Sequence, residues 1–101
     1  MKTRQGAGNK EEKKMPIYSE QIKQIPGSDL RSGCIKARKN TGRMYFSDIT
    51  ESENKTAYYL LYSYKSQYDE QKLVYSKFDF PSFYDAYKFA KNHILKRIGE
   101  N

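Results

Sequence analysis

Between Arg31 and Arg43 the sequence RSGCIKARKNTGR carries five basic side chains and no acidic one. At that density lysine and arginine neutralise phosphates, and arginine also presents a planar fork that fits a guanine edge. The chain holds ten tyrosines as well. A tyrosine ring stacks on an unpaired base, worth roughly 1–3 kcal/mol per base. The chemistry on offer is therefore recognition of a polyanion. The residues expected to carry it are Lys36, Arg38, Lys39, Arg43, Tyr45 and Lys77, with Lys72 beside them. Tyr59, Tyr62, Tyr64 and Tyr75 form a second, aromatic set. Tyrosine is also a good strand former, and in a chain without tryptophan it doubles as the main core aromatic.

Catalysis finds no comparable support. One cysteine, Cys34, and one histidine, His93, exclude a Cys/His zinc site, and no metal or other cofactor is expected. Cys34 reads as a small buried hydrophobe. His93 reads as the flank of a packed helix face or a solvated residue. The carboxylates Asp48, Glu51, Glu53, Asp69 and Glu70 fall in or beside expected loops, where acids mostly confer solubility. Gly6-Ala7-Gly8 precedes no strand–helix unit, so no phosphate loop is present. We read the protein as a non-enzyme. No apolar run approaches the roughly 18 residues that suggest a membrane span, so no membrane partner is expected.

The 101 residues suffice for one small domain. The net charge of +7 is concentrated in Arg31–Arg43, while residues 44–71 are net acidic. Residues 1–14 lack periodicity and read as a disordered basic arm. Residues 15–30 contain Pro16, Pro26 and Gly27, and read as an extended or short-helical lead-in. Residues 31–101 form the domain proper.

Within that domain the expected class is α+β, an antiparallel sheet packed against one C-terminal helix. The strands number three, or four if Asn40-Thr41-Gly42 closes a hairpin with Gly42 at positive φ. Period-2 alternation separates Lys36 and Arg38 from Ile35 and Ala37, so the basic pair points away from the packed side. TAYYLLYSY reads as a strand, and so does QKLVYSKFDF. In the latter the even set Val74, Ser76, Phe78 and Phe80 is expected to face the core, and the SQYDEQ stretch between the two strands reads as a turn. Pro81 ends the last strand. Ser82 then caps a helix, with Asp85 three residues on. Phe83, Ala86, Tyr87, Ala90, Ile94 and Ile98 follow at helical spacing on one face, and Gly99 suits the stop.

Lys77-Phe78, then Phe83 or Tyr84 with Ala86 and Ala90, together with Gly33 and Ile35, carry a family resemblance. The segment from about 31 to 98 resembles the plant APETALA/ethylene-response-factor type of DNA-binding domain, in its divergent protozoan form. Residues 77–93 are its specific part, and Phe46 or Tyr59 takes the place of the family's second-strand tryptophan. The resemblance implies three strands backed by a helix, and sequence-specific binding of duplex DNA in the major groove. It implies a transcription factor, and hence a nuclear, reducing location. Four strands and a helix are also the order of Pur-type and whirly-type single-strand binders, for which exposed tyrosines suit unpaired DNA or RNA. A third reading is a protein-interaction subunit, or a homodimer, with Tyr and Ile residues at the interface.

Overall fold

The computed structural model describes residues 17–65 and 69–99. The arm expected over residues 1–14, and part of the turn expected in SQYDEQ, lie outside the described residues. Five strands follow one another in a single antiparallel sheet, each paired with the next: β1 (Tyr18–Gln24), β2 (Arg31–Arg38), β3 (Met44–Glu51), β4 (Ala57–Tyr64) and β5 (Lys72–Phe80). One helix, α1 (Phe83–Gly99), follows and packs across β2, β3 and β4 and only lightly on β5. The α+β class stands, with five strands in place of three or four.

The additional strand is β1, in the segment expected as a lead-in. All seven of its residues are exposed. It belongs to the sheet through its ladder to β2, from Tyr18 opposite Ala37 to Gln24 opposite Arg31. Such an edge strand needs no apolar face, which is why Ile17, Ile22 and Ile25 show no alternation. The turn into β2 is readable: Ser28 N–H donates to Ile25 O across Pro26 and Gly27, and Gly27 has φ 80°. Proline presets the first central position of such a turn and glycine supplies the positive φ of the second. The β2–β3 hairpin closes, the alternative that adds a strand, with Gly42 at φ 101° and Lys39 N–H donating to Arg43 O.

Alternation decides the core. Ile35 and Ala37 of β2, Tyr45 and Ile49 of β3, and Ala57, Tyr59 and Leu61 of β4 are buried on the helix side. Phe83, Ala86, Tyr87, Ala90 and Ile94 of α1 meet them, and Ile98 packs at the edge. Ala86 and Ala90 are fully buried, so small side chains allow close approach of helix to sheet. The helix begins as expected: Asp85 N–H donates to Ser82 Oγ at 3.2 Å.

In β5 the expected parity fails. Phe80 is buried, but Phe78 is 53% exposed and lies on the opposite face, and Tyr75 and Lys77 take the helix side. Two irregularities in the β4–β5 ladder cause this. Tyr75 opposes Leu61 but Leu73 opposes Tyr62, and Lys77 opposes Tyr59 but Phe80 opposes Ala57. Each inserts one extra residue and reverses the alternation, and Asp79 takes φ 70° at the second.

Candidate nucleic-acid interface

The sheet face away from α1 is built from the even residues of β2, β3 and β4. Lys36 stands opposite Phe46 and Arg38 opposite Met44, and Phe46 in turn opposes Tyr62. The Phe46 and Tyr62 rings lie 6.1 Å apart. Further along β4, Tyr58 and Phe78 stack at 5.0 Å. Leu60 sits between Tyr58 and Tyr62, and Leu73 opposes Tyr62. Tyr58 and Tyr62 are four residues apart on one strand, so the two ring pairs are separated by roughly 13 Å. Cations and rings thus interleave on a single surface that no described helix covers.

The expected site residues divide between the two faces. Lys36 and Arg38 lie together on this surface, as their alternation with Ile35 and Ala37 requires. Lys39 sits at the hairpin turn beyond them. Arg43 does not join them: its guanidinium donates to Ser63 Oγ at 2.9 Å, and Ser63 opposes the core residue Tyr45. Tyr45 is itself only 6% exposed and is removed from the set, because odd residues of β3 face the helix. Lys77 is also on the helix side, its ammonium 5.2 Å from the Phe89 ring centre and 5.6 Å from that of Phe80. Of the aromatic set, Tyr62 belongs to the Lys36 face, Tyr64 shares its register but is buried, Tyr59 is buried in the core, and Tyr75 faces the helix. Phe46, Tyr58 and Phe78 belong to this face but to neither expected set. Counting alternate residues from Tyr62 would have found Tyr58, and the register across the hairpin turn would have found Phe46. Phe78 is reached only through the bulge.

The acid-free run is not uniformly available either. Arg31 is engaged by Glu51, which accepts from its backbone N–H at 2.9 Å and its Nε at 3.4 Å. The same guanidinium lies 5.0 Å from each of the Phe83 and Tyr84 rings. Glu51 ends β3 beside the loop, as expected, but it is buried and does more than confer solubility. Burial alone would raise its pKa, but the Arg31 contacts together hold it below the usual range.

Asp48 lies on β3 between Cys34 and Leu60, on the same surface as Lys36. Burial pushes its carboxyl upward, toward the neutral form. Cys34 is half-buried rather than a core residue, its thiol pushed up by burial and then by Asp48. His93 flanks the packed face as expected, its Nδ1 3.1 Å from the Tyr59 hydroxyl. Burial raises that hydroxyl to about 12. Among the described residues no group of His, Cys, Asp and Glu could hold a metal, and no helix is long and apolar enough to cross a membrane.

Comparison with protein families, with curated proteins and with solved structures found no match.

Proposed function

We propose that the protein binds nucleic acid on the sheet face away from α1, with unpaired strands as the favoured form. The observation that carries this is the interleaving of Lys36 and Arg38 with the ring pairs Phe46–Tyr62 and Tyr58–Phe78 on one surface. Cations track the phosphates while rings take the bases, an arrangement that accepts any base because every base has a π face. A duplex hides those faces and offers only edges and phosphates. The rings Phe46, Tyr58 and Tyr62 are half-buried, and Phe78 and Leu73 beside them are exposed; apolar groups gathered this way also mark an interaction surface in general.

Duplex DNA is the second reading, on the APETALA-type resemblance. It is favoured by Lys36 and Arg38 lying side by side near the hairpin end of β2, where a ribbon enters a major groove. On that reading the domain serves transcription in the nucleus, and Arg38 reads a base while Lys36 holds a phosphate.

The test is fluorescence anisotropy with randomised single-stranded and duplex oligonucleotides at two salt concentrations. Single strands should bind more tightly. Tyr62→Leu should cost about 1–3 kcal/mol on single strands and leave duplex affinity unchanged. Lys36→Ala and Arg38→Ala should each flatten the single-strand salt slope by about 0.7. A duplex preference that survives Tyr62→Leu selects the second reading. Indifference to all three changes leaves the surface to a protein partner.

A further inference from the structure

On the other side of the sheet, β5 and the C-terminal half of α1 leave a cleft of ≈ 390 Å³ between them. Its origin is geometric: the helix packs on β2, β3 and β4, and the bulged β5 extends past it. The volume lies within the range of small-ligand pockets, roughly 300–1,000 Å³. Three cations from two elements line it, Lys77 of β5 and Lys96 and Arg97 of α1, and among the described residues no carboxylate does. Among the described residues none of the three forms an ion pair. Lys96 and Arg97 also suit the negative end of the helix dipole, but Lys77 comes from a strand and has no such role. The cleft near the hairpin turn differs, because Asp69 and Glu70 offset its basic residues.

Rings complete the cleft. Tyr75 is 40% exposed and Phe89 is 51% exposed, both on its walls. His93 stands edge-on to Tyr75 at 4.7 Å and is held from behind by the Tyr59 hydroxyl. Lys77 lies over the Phe89 ring at 5.2 Å, so cation and ring adjoin in one cleft, with the exposed Tyr75 ring and the cations Lys96 and Arg97 on the same lining. That combination matches a planar base joined to a phosphate.

We propose that this cleft binds a nucleotide phosphate monoester, its phosphate against Lys77, Lys96 and Arg97 and its base against Tyr75 and Phe89. The ligand is either a free mononucleotide or the 5′-phosphorylated end of a strand. The site is on the opposite side of the sheet from Lys36 and Arg38, so it stands independently of the function proposed above.

The experiment titrates the full chain, observed by amide chemical shifts, with adenosine monophosphate, adenosine and inorganic phosphate. Adenosine monophosphate should bind more tightly than either fragment and shift the signals of residues 75–77 and 92–97. The double variant Lys96→Ala/Arg97→Ala, shown folded by circular dichroism, should weaken it by at least about tenfold, the size of one charge-assisted hydrogen bond. Tyr75→Leu should weaken the nucleotide and leave inorganic phosphate unchanged, and Lys36→Ala should alter neither. Competition by a 5′-phosphorylated oligonucleotide, but not by its hydroxyl-ended counterpart, assigns the strand end as the source. Failure of both to compete assigns the free nucleotide. Absence of binding, equal binding by inorganic phosphate and the nucleotide, or indifference to the double variant overturns the proposal.

Discussion

Gly33 sets how closely the helix approaches the sheet. A β-carbon there would sit 3.0 Å from two ring carbons of Tyr87 and 3.2 Å from Phe83. The Tyr87 ring cannot swing aside, because its hydroxyl donates to Glu20 on β1. Gly33→Ala should therefore destabilise the fold by about 1–3 kcal/mol in urea denaturation. Glu20 itself also accepts from Tyr18 at 2.7 Å and pairs with Lys91 at 3.1 Å. The Tyr87 and Tyr18 hydrogen bonds, then Lys91, hold its pKa below the ordinary value of 4.5. A depressed folded-state pKa contributes stability above the unfolded value, and that contribution is lost as pH falls through the folded one. Glu20→Gln should thus lower the melting temperature at neutral pH, and the difference from the parent should shrink below about pH 4.5. Arg31 behaves as a structural cation. Arg31→Ala should cost about 1–3 kcal/mol of stability by taking the guanidinium from buried Glu51 and leaving it only the backbone N–H of residue 31, while nucleic-acid affinity is retained.

At the scale of elements, two phenylalanines five residues apart should respond very differently to truncation. Phe83 is fully buried under the helix start, so Phe83→Ala should cost about 3–5 kcal/mol. Phe78 loses mainly its stack on Tyr58, so Phe78→Ala should cost no more than about 1.5 kcal/mol. Comparison of the two chemical-denaturation midpoints checks the bulge directly, because uninterrupted alternation would bury both rings. Ala90 lies at the centre of the helix–sheet contact with no exposed surface. Ala90→Asp should place an unpaired charge there and cost several kcal/mol, enough to abolish cooperative melting in a marginal domain.

For the molecule as a whole, the net charge of +7 matters less than its division between two surfaces. One face joins cations of β2 to rings of β3, β4 and β5. The other gathers cations of β5 and α1 around a cleft. Arg31 and Arg43 serve neither, being held by Glu51 and Ser63. Salt should therefore weaken oligonucleotide binding less than the total charge suggests, because only the phosphate-contacting cations release counterions. A slope of log affinity against log salt that matched all five basic residues of Arg31–Arg43 would contradict this division.

The sequence by itself determined the elements whose signals are local. The helix over Phe83–Gly99, its Ser82 cap, its buried face and the separation of Lys36 and Arg38 from Ile35 and Ala37 all follow from spacing within a few residues. Only the tertiary structure decided the rest. Strand β1 is exposed throughout and is defined by hydrogen bonds to β2, which leave no mark in side-chain pattern. The face taken by Phe78, Tyr75 and Lys77 depends on extra residues in β5 that exist only relative to β4. Tyr45 shares a strand with the aromatic face, yet its odd parity puts it under the helix. Periodicity says which residues share a face. Which face a helix covers, and where a bulge reverses the alternation, are settled by contacts between segments far apart in the chain.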